Sequence, residues 1–457
     1  MTGPPPIEVD LIVEAGTVLT MAGGPGRLDD AAVAVAGDRI VDLGPARDIS
    51  ARYTATRRIG DAGMIAIPGL VNAHQHLTGD RLIRSMIPDD LAPGRSISEW
   101  AVPAHAAHTG DDDELSALLS LLEAAGNGIT FTVEAGTVAH PDRVLAAFEK
   151  VGVGGTLGSW GTDADGLPYA GSVDEVIDRQ RDVLNLVAGH PLVCGWVTLV
   201  GHDLMSDDLV TAASDLARTV GTGLTFHLSP TAADAQSCLA RTGDRPAVHL
   251  ARLGALGPHV LVAHGVHLDD DEVDVLLLAD TAIAYCPWAY LRLGQGVTRA
   301  GRHVEFMRRG GRVALGCDAE NAGDAIDLLG AARLAAGLAK DMAGDPTSFG
   351  AFDALRLATI EGARALGMED ELGSIEPGKR ADIVLVDTGG HEWIPRSPDP
   401  VLQLVWASDG RSVRHVVASG DVVVEDGVGT RVDLDHVRRE AALHHSRLVR
   451  DAGLMGP

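Results

Sequence analysis

Pro68-Gly69-Leu70-Val71-Asn72-Ala73-His74-Gln75-His76 is the stretch on which the reading of this 457-residue chain turns. An apolar run beginning at Ile65 ends in two imidazoles, and the two-residue period of a strand points His74 and His76 to the same side. Two neutral nitrogen donors on one side make half of a metal site.

Outward from that stretch the pattern repeats. Apolar strands are expected at 65–72, 129–133, 153–157, 192–199, 224–228, 260–263, 282–286 and 313–317. Helical spacers separate them, as at 112–125, 173–188, 207–220 and 269–278, and acidic or Ser residues at or just before these starts suit a helix N-terminus. Alternating strands and helices predict an α/β fold, a (β/α)8 barrel over 67–372. Both ends read differently. Short apolar runs broken by Gly, Asp and Pro fill 1–66 and return over 373–430, which predicts a small β-sandwich domain built from both termini. The segment 431–457 is expected to carry a charged surface helix.

Chemistry in such a barrel collects at the C-terminal ends of the strands. Beyond His74 and His76, those ends carry His227 in Thr225-Phe226-His227-Leu228, His264 in Ala263-His264-Gly265, and Asp318 in Gly316-Cys317-Asp318. One such residue is ordinarily a satisfied histidine or a helix cap. Several together predict a site, because a buried carboxylate needs a cation or several donors.

The bulk composition narrows the partner. With 37 Lys plus Arg against 64 Asp plus Glu, the formal charge of -27 disfavours nucleic acid and anionic lipid and leaves a small-molecule substrate. Four cysteines without CxxC spacing suggest neither a zinc knuckle nor a disulfide framework, and Cys286 and Cys317 read as packed small residues. The N-terminus has no basic, apolar leader and no run of about 18 apolar residues occurs, so a cytoplasmic protein is expected, with no membrane partner.

These pieces, in this order, resemble the amidohydrolase superfamily, in the branch with cytosine and guanine deaminases, S-adenosylhomocysteine deaminases and triazine hydrolases. The opening motif carries the resemblance, with Ala263-His264-Gly265-Val266-His267-Leu268, Cys286-Pro287, Leu293-Gly294-Gln295-Gly296, Leu315-Gly316-Cys317-Asp318 and Gly373-Ser374-Ile375-Glu376-Pro377-Gly378-Lys379-Arg380-Ala381-Asp382. The resemblance implies that His74, His76, His227 and Asp318 hold one divalent ion, zinc before iron or cobalt, with Asp318 and His264 catalytic. No Lys lies near 196–199, so the carboxylated lysine of two-metal members is absent. Relatives in this superfamily form dimers or larger assemblies, so a homo-oligomer is expected.

The chain departs from that pattern in two places. Deaminases of this branch place a proton-carrying Glu three residues after the strand-five His, and here that position is Pro230. A His normally precedes Cys-Pro on strand seven, and here it is Tyr285. General acid catalysis contributes about 10²–10⁴-fold, so its loss disfavours ring deamination. The sequence therefore favours hydrolysis of an acyclic urea, carbamate or amide, with Tyr285 donating to the developing oxyanion. The alternative is deamination or dechlorination of an aminated heterocycle, with Glu320 standing in for the absent acid. His202, Trp100, Trp288, Glu320 and Asn321 are the expected substrate contacts, with His105, His108, Trp160 and Tyr290 as further loop candidates.

Overall fold

The computed structural model describes residues 5–23, 26–92 and 94–454, so the expected segments 1–66 and 431–457 run past the described residues at their outer ends. Eight parallel strands form the barrel. Leu70–Gln75, Ile129–Glu134, Gly154–Leu157 and Val193–Gly195 pair in that order, and Val197–Gly201, Leu224–Leu228, Val260–His264, Ala282–Tyr285 and Val313–Leu315 pair in theirs. The fourth strand, expected as one piece over 192–199, is interrupted at Trp196. Its first half pairs with strand three and its second with strand five, joined by Trp196 N to Leu157 O (2.9 Å) and Val197 N to Gly223 O (2.9 Å). On the other side the barrel closes where Cys317 N and Asp318 N donate to His74 O at 3.1 and 2.9 Å.

Small side chains fill the barrel along strands six to eight. Ala263, Ala282, Ala284 and Ala314 form one apolar cluster with Val71, Ala73, Phe131, Val133 and Leu261. The helices around the outside start where their caps dictate. Thr109, Ser172, Ser206 and Asp269 each accept a backbone N–H from the first turn of Gly110–Gly126, Val173–Leu186, Asp207–Val220 and Asp270–Leu278. Such a cap is worth about 1 kcal/mol, which explains why acidic and Ser residues marked these starts in the sequence.

Both ends of the chain meet in one nine-stranded sheet around Ile7–Leu19. Met64–Pro68, read with the first barrel strand, belongs to this sheet. It runs parallel to Ile7–Leu19 and antiparallel to Ile383–Asp387, and so joins the N- and C-terminal halves. The chain passes from sheet to barrel at Gly69, where a Cβ would lie 2.1 Å from Thr130 Oγ1 and 2.9 Å from Asp382 Cβ. Only glycine fits that crossing, the physical content of the Pro68-Gly69 signal.

The C-terminal helix Leu434–Asp451 lies against the barrel mouth. His445 Nδ1 bonds Leu82 O at 2.7 Å, and His444 Nδ1 and Arg447 both reach Asp112. It thus clamps the turn Asp80–Ile83 that follows the first strand. No helix among the described residues is long and apolar enough to cross a membrane.

Candidate metal centre

His74, His76, His227 and Asp318 each bring one ligand atom into a group whose members all lie within 4.8 Å of one another. Asp318 Oδ1 is 3.6 Å from His74 Nε2 and 3.5 Å from His76 Nε2, and His76 Nε2 is 3.1 Å from His227 Nε2. The two nitrogens and the carboxylate oxygen converge on a common point, and the one backbone donor to that oxygen, Ala319 N at 2.8 Å, leaves the three histidines facing it. Both ring nitrogens of His74 are buried with no hydrogen-bond partner. An orphaned buried polar group costs about 1–3 kcal/mol, so the pocket fits a divalent cation as its missing partner. Burial, reinforced by the neighbouring His227, pushes the pKa of His74 and His76 well below the ordinary imidazole value. They are therefore neutral near pH 7, the form that coordinates a metal.

The second ring nitrogens are held from behind. His76 Nδ1 bonds Thr137 Oγ1 at 3.0 Å, and His227 Nδ1 bonds Val200 O, so both rings present Nε2 to the centre. Such partners fix tautomer and orientation. Thr137 is itself held, because its carbonyl accepts from Thr78 Oγ1 at 2.7 Å and its N–H donates to Glu134 Oε1 at 3.3 Å. Two strand ends adopt backbone conformations that side chains rarely take, His264 at φ 78° and Asp318 at φ 66°. Strain of that kind costs about 1–3 kcal/mol per residue and clusters at functional sites.

His264 joins the group from strand six, its Nε2 3.9 Å from Asp318 Oδ2. Its carbonyl accepts from His303 Nε2 at 2.6 Å and from the Tyr290 hydroxyl at 3.3 Å, which pins the strained turn. Cys286 approaches the same pair: its sulfur, His264 and Asp318 also lie within 4.8 Å of one another.

Several expected contacts are placed elsewhere. Strand neighbours share a face, so the pairs His227–Ala263, Ala263–Ala284 and Ala284–Ala314 put Ala284 on the inside and Tyr285 on the outside. The Tyr285 ring stacks on His303 with centroids 4.2 Å apart, among the apolar side chains around the barrel. That position does not suit the oxyanion-donor role read from the sequence. His202 follows an inward Gly201 and likewise turns outward, lining a small cavity with Met205, Val210, Cys238 and Leu250. Trp288 rests on Gly323 and Gly330, supporting the loop after Asp318. Trp100 sits half-buried on the π-helical turn Ile97–Ala101.

Glu320 and Asn321 belong to a buried charge network behind the site. Glu320 Oε1 accepts from Arg81 Nη1 at 3.1 Å and Ser120 Oγ at 3.3 Å, and Arg81 also pairs with Glu123 at 2.7 Å. Burial, then the nearby Asp80, pushes the Glu320 carboxyl up to about 8 against the pull of Arg81. Asn321 N donates to Asp80 Oδ2 at 2.7 Å. These bonds engage one oxygen of Glu320, leaving its buried Oε2 without a hydrogen-bond partner, and tie the loop after Asp318 to the turn after His76. Among the loop candidates, His105 packs its ring against Gly79 and edge-on to Trp160 at 5.1 Å, burial pushing it down to about 3, and His108 Nδ1 pairs with Asp113 Oδ1 at 2.8 Å. The sequence reading missed Thr137, Asp80, Arg81 and His303, which carry no motif. Asp80 and Arg81 lay close after His76, the one signal available.

Comparison with known proteins places this arrangement. The chain is 32% identical over 450 residues to the 5-methylthioadenosine/S-adenosylhomocysteine deaminase of Symbiobacterium thermophilum, covering 96% of this chain and 99% of that one. It is 31% identical over 430 residues to the enzyme of the same name from Syntrophobacter fumaroxidans, covering 94% and 96%. An adenosine deaminase from Xanthomonas campestris, solved with bound zinc, superposes with a TM-score of 0.92 at 28% identity, covering 98% of this chain and 100% of that one. The atrazine chlorohydrolase of Arthrobacter aurescens, complexed with zinc, gives 0.85 at 25% identity, covering 95% and 100%. The family profile described as Amidohydrolase family matches residues 65–423, which include His74, His76, His227 and Asp318. The chain belongs to the amidohydrolase family and is a hydrolase of carbon–nitrogen bonds other than peptide bonds.

Proposed function

We propose that this protein is a zinc-dependent deaminase of an aminated heterocycle, with a 5′-substituted adenosine as the first substrate to test. The observation that carries this reading is the near full-length similarity to 5-methylthioadenosine/S-adenosylhomocysteine deaminases, combined with a ligand group of three histidines and one aspartate. The acyclic urea, carbamate or amide favoured by the sequence is set aside. It rested on the missing acid at Pro230 and on Tyr285 as oxyanion donor, and Tyr285 faces out of the barrel.

His74, His76, His227 and Asp318 hold a single catalytic ion, for which zinc is the choice because it occupies both similar structures. Such an ion lowers the pKa of water to near 7 and supplies positive charge beside the reacting carbon. Asp318, the carboxylate within the ligand group, takes a proton from the attacking water. His264, 3.9 Å from Asp318 Oδ2, orients the water and the exocyclic amine. A C–O bond forms at the amine-bearing carbon, the C–N bond breaks, and Asp318 returns its proton to the departing ammonia. Pro230 has no ionisable group to protonate the ring nitrogen, so Asp318 carries both proton transfers and turnover is slow.

A substrate panel tests the proposal. Ammonia release from 5′-methylthioadenosine, S-adenosylhomocysteine, adenosine, guanine, cytosine or an aminotriazine supports it. Cleavage of N-aryl or N-alkyl ureas or carbamates, with no ammonia from any heterocycle, overturns it.

A further inference from the structure

Asp318 divides its two oxygens between two sets of neighbours. Oδ1 faces His74 and His76 at 3.6 and 3.5 Å, whereas Oδ2 faces His264 Nε2 at 3.9 Å. Cys286 stands near the same pair: one ligand atom each of His264, Cys286 and Asp318 lie within 4.8 Å of one another, with all three residues buried. The thiol occupies space that Gly316 leaves open: a Cβ on Gly316 would lie 2.7 Å from Cys286 Sγ and 2.8 Å from His74 Cβ. The sulfur therefore lies near His74, although Cys286 also packs with the apolar side chains around the barrel.

We propose that His264, Cys286 and Asp318 form a second, weaker subsite for a thiophilic divalent cation, sharing Asp318 with the first. The proposal rests on the metal centre described above and goes beyond the single ion assigned to it. An imidazole, a thiolate and a carboxylate suit zinc, cobalt or cadmium, and not magnesium or calcium, which take oxygen ligands. A shared carboxylate is compatible with two ions about 3.5–4 Å apart. The subsite fills second, because it has three protein ligands against four, one of them shared, and faces a like charge. A coordinating thiol gives up its proton, so the thiolate forms as the cation arrives. The S–H bond breaks, a sulfur–metal bond forms, and the proton passes to solvent. His264 is taken up in the process.

Metal-depleted full-length protein titrated with cobalt(II) tests this without any substrate. The expected result is visible d–d absorption from the first equivalent, and then a near-ultraviolet thiolate-to-cobalt band that grows only with the second. That second band is lost in Cys286→Ser and in Cys286→Ala and kept in Cys317→Ser. One equivalent bound with no thiolate band at saturation overturns the subsite while leaving the first centre intact. A thiolate band with the first equivalent, or one that survives Cys286→Ala, also overturns it. No cobalt bound at all rejects the first centre, and the subsite with it.

Discussion

Asp318 Oδ1 stands 3.5 Å from His76 Nε2, although the two residues come from the last and first strands of the barrel and meet only where it closes. The carboxylate is buried, and its N–H is spent on His74 O. Asp318→Ala should therefore lose bound metal and reduce turnover by about 10²–10⁴-fold. Elemental analysis of the purified variant, run beside the activity assay, checks both. Full metal content with undiminished turnover would rule out the assigned ligand set.

His76 is oriented by Thr137, whose hydroxyl meets Nδ1 at 3.0 Å. Thr137→Val keeps the volume and removes the partner, leaving the ring free to rotate. Loss of such a partner typically weakens metal binding by 10–100-fold. Competition with a coloured chelator measures this, and an unchanged affinity would show that packing alone orients His76.

Much of this was legible before any coordinates, for reasons that differ by residue. That His74, His76, His227 and Asp318 come together was legible because each lies at the end of a strand with a clear apolar run, and strand ends are where a barrel gathers its polar residues. Met64–Pro68 was misread as barrel because Gly69 leaves no break in the apolar pattern while the chain changes sheets. Tyr285 and His202 were misjudged for one shared reason. Near a strand end, facing depends on the parity of the register, and one residue in either direction exchanges inside for outside. Glu320 was seen as polar and near Asp318, but its partner Arg81 comes from the far side of the sequence and no local pattern announces the pair.

Register parity separates two tyrosines. Tyr285 stacks on His303 outside the barrel, so Tyr285→Phe should leave turnover within about twofold, with no oxyanion contact to lose. The Tyr290 hydroxyl accepts from Cys286 N at 2.9 Å and donates toward His264 O, so Tyr290→Phe should cost about 1–2 kcal/mol of stability. Chemical denaturation and steady-state kinetics on both variants decide it. A Tyr285→Phe enzyme slowed 10-fold or more would return Tyr285 to the site.

Pro230 follows His227 at the distance where deaminases of this branch carry their acid. If ring-nitrogen protonation limits this enzyme, Pro230→Glu should raise kcat for ammonia release by about 10–100-fold, within the range general acid catalysis supplies. The gain should be confined to heterocyclic substrates and accompanied by a new acidic limb in the pH profile. Slower release from every heterocycle would mean that the loop cannot aim a carboxyl at the ring.

Asp112 binds the C-terminal helix to the loop that shapes the site. Its carboxylate accepts from Thr109 N at 2.7 Å and from His444 Nδ1 at 2.7 Å, and it pairs with Arg447. Burial alone would raise its pKa, but the Thr109 bonds, Arg447 and His444 outweigh it and hold the group at about 2. An unfolded Asp titrates near 3.9. The folded value is the lower one, so this stabilisation is complete above about pH 4 and fades as the pH falls through about 2. Acid should therefore release Leu434–Asp451 before the barrel unfolds, since the helix is held to Asp112 and Leu82 by polar contacts. Amide hydrogen exchange read between pH 6 and pH 2 should show protection falling first in that helix. Asp112→Asn should show the same loosening already at pH 6, worth about 1–3 kcal/mol. Equal protection of the helix at both pH values, in the wild type and the variant, would mean that its apolar face alone holds it and that Asp112 contributes nothing to the docking.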